Sequence, residues 1–330
     1  LLDRPAATVI LDREDTPLRF FLPHDEMWRF PVSLHEVSST FTATIIASED
    51  QRFRLHPGVD PLAILRAAWS NLLAWEVVSG GSTITMQVAR LAEPRPRTFR
   101  SKFIEAFRAM QLEQMYSKDE ILTLYMNMTP YGGNVVGVGA ASWFYFGKTP
   151  DRLSLAESAL LTVLPKSPSR YDPVKHPEEA RAARDFYLEL LEDKGIFDVD
   201  EVREARAQSL PDLVLKAPFK APHFTQMVLD LEGKGRCITT SLDSFSQRVV
   251  EEKLKEREGW LRGFGIENAA VVVLDNETRE IRAMAGSIRF FDDAHHGQIN
   301  GTLIKRSPGS SLKPFLYALA MDQGHIVPQS

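Results

Sequence analysis

Two adjacent carboxylates, Glu49 and Asp50, follow an apolar run from Phe41 to Ala47. Such a run is typical of a buried helix, and a carboxylate at its end can lie in a partly apolar pocket. Burial there raises the pKa of a carboxyl group toward that of a useful general base. The pattern therefore predicts a general base, and it leaves open the alternative of a solvated acidic pair at a helix end.

A second stretch, residues 80–87, reads Gly-Gly-Ser-Thr-Ile-Thr-Met-Gln. The two glycines free the backbone, and the following hydroxyls and amide can bind phosphate or sugar oxygens. The alternative is the start of a helix, with Ser82 or Thr83 as its cap. The stretch thus predicts either a ligand-binding segment or an ordinary helix N-terminus.

A third stretch, residues 95–108, concentrates positive charge. It holds five basic residues against one acid, Glu105, which gives a local net charge of +4. Lys102, Glu105 and Arg108 share roughly one face of a helix. Concentrated positive charge suits a pyrophosphate, whereas a basic surface face is the alternative. The five basic residues are Arg95, Arg97, Arg100, Lys102 and Arg108.

Acids on either side of a basic helix suggest glycosyl chemistry. One carboxylate deprotonates an attacking hydroxyl, while positive charge stabilises the leaving group. The chain lacks the Gly-x-x-x-x-Gly-Lys-Ser/Thr, His-Glu-x-x-His and Gly-x-Gly-x-x-Gly motifs, so the corresponding nucleotide and zinc sites are not predicted.

The composition is that of an ordinary globular protein, with 44% hydrophobic and 25% charged residues among 330. The length favours two domains. The net charge of −5 provides no overall electrostatic attraction to nucleic acid. The single cysteine, Cys237, excludes an internal disulfide or a Cys-rich metal site. No apolar run approaches the roughly 18 residues of a membrane helix.

The elements that must position these residues are mainly helical from about Ser39 to Leu210. Ser117 and Ser154 each begin a Ser-x-x-Glu capping box, and residues 178–206 predict a charged helical stretch that breaks at Gly195. Short strands are predicted near the N-terminus (7–11 and 18–22). A strand–turn–strand unit (269–274 and 281–285) follows a proline-containing linker (207–236).

The order of these motifs resembles one family. Glu-Asp-x-x-Phe-x-x-His-x-Gly-x-Asp runs from Glu49 to Asp60, and Gly-Gly-Ser-Thr-Ile-Thr-x-Gln follows at 80–87. Lys-x-x-Glu lies at 102–105, and Ser-Lys-Asp-Glu-Ile-Leu lies at 117–122. A fifth motif, with Tyr-Phe-Gly-Lys, lies within 137–148. Over about residues 25–205 the chain is similar to the peptidoglycan glycosyltransferase domain of bacterial class A penicillin-binding proteins, glycosyltransferase family 51. Residues 130–134 most resemble the 1C branch.

This resemblance implies a lysozyme-like helical domain that polymerises lipid II with inversion and releases undecaprenyl pyrophosphate. Glu49 would be the general base for the acceptor 4-hydroxyl, and Glu105 would be the second carboxylate, near the donor pyrophosphate or its cation. Five further residues match positions that bind the donor or stabilise the leaving group: Ser82, Thr83, Gln87, Arg90 and Lys102.

The tail adds an independent likeness. Ser310 and Lys313 form the only Ser-x-x-Lys of the chain, placed before an apolar helix as in a serine transpeptidase. The resemblance makes them the nucleophile and its activating base. The Ser-x-Asn and Lys-Thr-Gly motifs lie outside these 330 residues, so we expect no crosslinking and poor acylation by penicillin from this chain.

The predicted architecture is thus an extended segment (1–24), a mainly α glycosyltransferase domain (25–206), a linker (207–236) and the first part of an α+β transpeptidase domain (237–330). Both ends look interrupted, and any membrane anchor is expected outside the chain.

The resemblance also implies partners and a location. They are lipid II, the growing glycan strand, moenomycin-type inhibitors, other cell-wall proteins and the outer face of the bacterial inner membrane, with no nucleic acid. It implies no obligatory cofactor and leaves a divalent cation, Mg²⁺ or Mn²⁺, open. The segment Pro61–Val78 is predicted as a lipid-facing lip or, alternatively, a buried core helix.

Two departures from the family pattern concern the donor site. Met86 and Met128 stand where many members have Gln and Glu. Two other functions stay open beside glycosyl transfer: a lysozyme-like enzyme that cleaves glycan strands, and a scaffold module with a degenerate site.

Overall fold

Helices dominate the first part of the chain, and most of them begin at a side-chain cap. In this computed structural model, which describes residues 4–66, 81–96 and 98–329, Ser117 and Ser154 form the predicted capping boxes with Glu120 and Glu157. The helices of this part, numbered in chain order, are α1 (Ser39–Glu49), α2 (Ile84–Ala92), α3 (Phe99–Met115), α4 (Lys118–Met128), α5 (Val138–Phe146), α6 (Leu155–Val163), α7 (Pro177–Asp193) and α8 (Val199–Ala207).

Two small sheets accompany these helices. Strand β1 (Thr8–Leu11) pairs antiparallel with β2 (Pro17–Phe21) and parallel with β6 (Cys237–Thr239). Strand β3 (Trp28–Arg29) runs parallel to β5 (Val135–Val136), which pairs antiparallel with β4 (Pro130–Gly132). The strands predicted at 7–11 and 18–22 are confirmed as β1 and β2.

The chain divides into two compact units. The first comprises residues up to Leu11, Pro17–Lys220 and Leu229–Thr239, and the second comprises Asp12–Thr16, Ala221–Val228 and Thr240–Ser330. The predicted linker (207–236) contains a helix, α9 (Pro222–Glu232), because Pro222 fits a helix start, where no amide donor is required. The predicted N-terminal segment joins the first unit through the pairing of β1 with β6. The domain boundaries themselves stay predictions.

The core of the first unit lies where α2 packs on α3 and α4, and where α1 packs on α6. Phe41, Phe53 and Ile84 have no solvent exposure there, and Ile45 and Leu122 are almost fully buried. Burying side chains of this size is the main favourable term in folding, at about 1.5–3 kcal/mol each. This packing fixes the C-terminus of α1 and the N-terminus of α2, the two ends that carry the predicted chemistry.

The second unit has its own small core. Helix α10 (Ser244–Arg262) covers an antiparallel hairpin of β7 (Val271–Leu274) and β8 (Ile281–Ala285). The strand–turn–strand prediction is therefore confirmed. A 3₁₀ helix (Gly309–Leu312) and α11 (Lys313–Asp322) complete this unit. A mainly α unit and an α+β unit agree with the predicted fold class.

In the described part of the chain, no helix combines the length and the apolar character that a membrane crossing requires. The predicted lip, Pro61–Val78, falls largely outside the described residues. Residues 61–66 are helical, and Leu62, Ile64 and Leu65 are exposed.

Candidate active site

The site is built around Glu49, the last residue of α1. The Ser38 hydroxyl caps this helix by accepting from the Phe41 amide, and the apolar face of α1 is buried, as its sequence predicts. This burial draws the C-terminal turn into the core, so the Glu49 side chain is only 10% exposed. The alternative of a solvated acidic pair is therefore wrong.

Two side chains from distant elements hold the Glu49 carboxylate. The Gln87 amide, on the first turns of α2, donates to Oε2 at 2.9 Å. The Lys166 ammonium donates to Oε1 from a 3₁₀ turn (Leu164–Lys166) that directly follows α6. The carboxylate is thus pinned between a neutral donor and a cation, both of which fix its orientation.

Lys166 stays charged in this environment. Burial by itself lowers the pKa of its ammonium, but the charge of Glu49 and the nearby Tyr187 hydroxyl more than offset burial, so the pKa lies above its ordinary 10.5. A raised pKa for a basic group stabilises the folded state at all pH values below 10.5, and that contribution is lost only as pH rises through the raised value. The ion pair therefore persists throughout the neutral range.

Tyr125 lies close enough to Glu49 to feel its charge. It is buried on α4, and burial, reinforced by the charge of Glu49, raises the pKa of its phenol well above 10. Tyr125 therefore stays neutral and is no proton acceptor for the site.

Asp50 has a different role from its neighbour, because its carboxylate points into the interior. Both of its oxygens lie 3.0 Å from His56 Nε2, and Oδ2 also accepts from the Ile84 amide at 3.0 Å. The Gly58 amide donates to the other ring nitrogen of His56, Nδ1, at 3.2 Å, which assigns the proton to Nε2. Asp50 thus ties the loop after α1 to the first turn of α2.

We expect Asp50→Ala to lower the free energy of unfolding of the first unit by about 3 kcal/mol, because it leaves the buried His56 donor and the Ile84 amide unpaired. Urea unfolding followed by circular dichroism measures this. Asp119→Ala is the matched control, because Asp119 pairs with Arg54 at an exposed site, where a pair contributes less than about 1 kcal/mol. Equal destabilisation by the two substitutions would contradict the structural role of Asp50.

Three of the residues predicted to surround the donor pyrophosphate, Ser82, Lys102 and Glu105, lie in contact. Lys102 Nζ lies 2.5 Å from Ser82 Oγ and 3.0 Å from Glu105 Oε2, which joins the 80–87 stretch to one face of α3. Glu105 is buried, whereas the Lys102 side chain is 43% exposed and can reach a ligand. Arg90 lies in the last turn of α2.

Several other residues of the predicted site make contacts within the protein. Thr83 is the N-cap of α2, where its hydroxyl accepts from the Met86 amide and donates to the Gly58 carbonyl at 2.6 Å. Arg95 and Arg108 pair with Glu93, so part of the basic stretch is neutralised locally. Gly80 and Arg97 lie outside the described residues.

The two departures from the family pattern are accommodated in the core. Met86 is 2% exposed and Met128 is 4% exposed, so both side chains are buried, and Met128 belongs to the main hydrophobic cluster. Gln87 supplies the amide that reaches Glu49. The neighbouring Asn127 bonds the backbone of Val32 in both directions, at 2.9 and 2.7 Å.

Ser310 and Lys313 lie in the second unit. Ser310 is in the 3₁₀ helix Gly309–Leu312 and Lys313 begins α11, so the two are one turn apart, and both are exposed. Their assignment as nucleophile and base stays a prediction.

Sequence reasoning did not single out Lys166, whose ammonium the structure places on the Glu49 carboxylate. It lies in the 3₁₀ turn Leu164–Lys166 directly after the buried helix α6, and a lysine at the end of such an apolar run was a usable signal. The signal was weak because Glu49 is 117 positions away in the chain.

Comparisons with known proteins agree with this architecture. Residues 15–192 match the family model described as transglycosylase, and residues 269–330 match that of the penicillin binding protein transpeptidase domain. Penicillin-binding protein 1C of Escherichia coli is 43% identical over 98% of this chain and 42% of its own length. Penicillin-binding protein 1F of Bacillus subtilis is 32% identical over 92% of the chain and 44% of its own length.

Penicillin-binding protein 1B of Vibrio cholerae is 33% identical over 96% of this chain and 41% of its own length. The chain thus spans less than half the length of these curated relatives. The crystal structure of penicillin-binding protein 1A from Haemophilus influenzae aligns with 97% of this chain and 53% of its own, at 17% identity and a TM-score of 0.38.

Proposed function

This chain belongs to the transglycosylase family of the class A penicillin-binding proteins, and from that premise we propose that it is a peptidoglycan glycosyltransferase that polymerises lipid II into glycan strands. The observation that carries the proposal is the buried Glu49 carboxylate, held between Gln87 and Lys166. The Ser82–Lys102–Glu105 cluster of the same unit supports it.

Glu49 acts as the general base. It takes the proton from the 4-hydroxyl of the acceptor N-acetylglucosamine, and the hydroxyl oxygen attacks the anomeric carbon of the lipid-linked N-acetylmuramic acid from the face opposite the leaving group. The new glycosidic C–O bond forms as the bond to the pyrophosphate oxygen breaks, so the configuration inverts. The hydrogen bonds from Gln87 and Lys166 fix the orientation of the Glu49 carboxylate before the substrate binds.

The leaving group is undecaprenyl pyrophosphate, which takes the electron pair of the broken bond. Lys102, with Arg90, supplies positive charge where the negative charge develops, and Ser82 orients the Lys102 ammonium. Glu105 fixes that ammonium from the other side, at 3.0 Å. The net charge of −5 over the whole chain does not oppose this, because the pyrophosphate responds to charges within about one Debye length.

A divalent cation, Mg²⁺ or Mn²⁺, would neutralise pyrophosphate charge in such a reaction. The residues fit this ion only in part: Glu105 offers one carboxylate, which Lys102 already binds, and no cluster of three or more His, Cys, Asp or Glu occurs in the described ranges. The steps above use the chain's own groups alone.

The substrate sets the location and the partners. Lipid II carries a polyprenyl tail, so we propose that the chain works against the outer face of the bacterial inner membrane, with lipid II, the glycan strand and moenomycin-type inhibitors as ligands. Other cell-wall proteins stay expected partners. Peptide crosslinking through Ser310 and Lys313 is not proposed for this chain.

The function is tested by incubating the chain with labelled lipid II and resolving the products by gel electrophoresis. Glycan strands that a moenomycin-type inhibitor suppresses are the expected result. Cleavage of purified glycan strands without a lipid-linked donor would point instead to a lysozyme-like enzyme. Inhibitor binding without polymerisation or cleavage would contradict the proposal, and a chain that binds neither donor nor inhibitor would fit a scaffold module.

A further inference from the structure

The last turn of α1, which carries Glu49, is held by a second lysine of the first unit. Lys194 directly follows α7, and its ammonium donates to the Ala47 carbonyl at 2.6 Å. The Asp50 amide, at the end of α1, bonds the Ile46 carbonyl. The Ala47 carbonyl is therefore one of the helix-end acceptors that have no amide donor within α1, and Lys194 supplies a donor from outside the helix.

The backbone of Lys194 is fixed by the cap at the C-terminus of α7. The Ile196 amide donates to the Leu191 carbonyl at 3.0 Å, and the Gly195 amide donates to the Glu192 carbonyl at 2.8 Å. Gly195 adopts the left-handed conformation that this pair of bonds requires, with a φ of +65°. Leu191 is fully buried, so the cap is anchored in the core. A hydrogen-bonded turn thus presents Lys194 to the end of α1.

The position of Lys194 is unfavourable for its own charge. The side chain is partly buried, and burial and the charge of Arg66 both lower the pKa of its ammonium. The C-terminal end of a helix favours a cation, because its unpaired carbonyls carry partial negative charge. The end of α1 therefore offsets part of the unfavourable free energy, which makes the contact with Ala47 specific to this lysine and this helix.

The other side chains near this turn do not hold its main chain. The Ser48 hydroxyl, next to Glu49, is buried and has no hydrogen-bond partner among the described residues. The Asp50 carboxylate binds groups that lie beyond the helix. Lys166 contacts the end of the Glu49 side chain. Lys194 therefore makes the side-chain contact that fixes the main chain from which Glu49 projects.

We propose that Lys194 is a positioning residue for the general base Glu49. Its contact with the Ala47 carbonyl fixes the last turn of α1 and thereby the place where the Glu49 carboxylate meets the acceptor hydroxyl. A general base must lie within hydrogen-bond reach of its proton, and a displacement of about 1 Å can cost about 10² in rate. Lys166 orients the carboxylate directly, whereas Lys194 acts through the main chain, so its effect is the smaller one. The inference rests on the proposed function, because it concerns the same base.

The role of Lys194 is tested by measuring lipid II polymerisation by Lys194→Met. We expect kcat to fall about tenfold and KM to stay within about twofold of the wild-type value, because the base is displaced while no substrate contact is removed. Lys194→Arg should recover most of the rate, since its guanidinium can still donate to the Ala47 carbonyl. Lys175→Met is the matched control and should leave both constants unchanged, because Lys175 is highly exposed and pairs with Asp172.

Three kinetic outcomes would overturn the inference: a loss of kcat no greater than that of the control, a change confined to KM, or a loss that Lys194→Arg does not recover. Urea unfolding separates positioning from a purely structural role. The urea midpoint of Lys194→Met should match that of the wild type, and a midpoint low enough to account for the lost rate would contradict positioning.

The carboxyl carbon NMR signal of Glu49, assigned with Glu49→Gln, gives a second readout that does not depend on activity. It should shift in Lys194→Met and stay in place in Lys175→Met, whereas an unchanged signal in both would overturn the inference. A wild-type chain that makes no glycan strands would contradict the proposed function, and the Glu49 signal would then decide the role of Lys194 by itself.

Discussion

Glu49→Gln is expected to abolish formation of glycan strands from lipid II, with a loss of at least about 10³ in rate. The amide preserves the shape of the side chain and keeps one oxygen that can accept from Gln87 or from Lys166, but it cannot take the acceptor's proton. A positioned general base contributes 10² to 10⁴ in rate, and 10³ corresponds to about 4 kcal/mol of transition-state stabilisation. The rate is measured with labelled lipid II under single-turnover conditions.

The control for this substitution is Glu204→Gln on the exposed face of α8, which should leave the rate unchanged. Binding of a moenomycin-type inhibitor by Glu49→Gln should also be retained, which shows that the donor side is intact. Polymerisation at more than about a tenth of the wild-type rate would exclude Glu49 as the base.

Lys166→Met is expected to give the second-largest loss, about 10² in kcat with a smaller change in KM. The substitution keeps most of the apolar stem but removes the ammonium that orients Oε1 of Glu49, and a misplaced base costs rate more than binding. Lys166→Arg should recover part of the rate, because it restores the charge with a different geometry.

Lys175→Met is the matched control for Lys166→Met, because Lys175 is highly exposed and pairs only with the nearby Asp172 at 3.3 Å among the described contacts. It should leave kcat and KM unchanged. If Lys166→Met reduced kcat no more than Lys175→Met does, Glu49 would need no orientation by this lysine, and the role assigned to Lys166 would be wrong.

The bounds of several helices and strands were predictable because the signals that set them are local. A helix N-terminus depends on side chains within one turn, so the Ser-x-x-Glu pattern alone was enough to predict capping boxes at Ser117 and Ser154. The hairpin of β7 and β8 was predictable from its apolar runs and turn residues for the same reason. The helix within 207–236 was missed because three prolines favoured a linker, although Pro222 begins α9.

The roles of individual side chains were less predictable, since spacing does not say which way a side chain points. Glu49 and Asp50 are neighbours in sequence, yet one carboxylate meets Gln87 and Lys166 while the other bonds His56 and the Ile84 amide. Thr83, for which the sequence left open a donor contact or a helix cap, caps α2, and Met86, which stands where many family members have Gln, is buried in the core.

By itself, the sequence determined the family, the helical character of the first part and Glu49 as the candidate general base. Motifs, helix caps and apolar periodicity each depend on residues that are close together in the chain. Only the tertiary structure decided that Lys166 reaches Glu49 across 117 positions, and that Lys194 contacts the last turn of α1. Such contacts depend on how buried faces pack against one another. Packing is a property of the whole core, so no local stretch of sequence carries it.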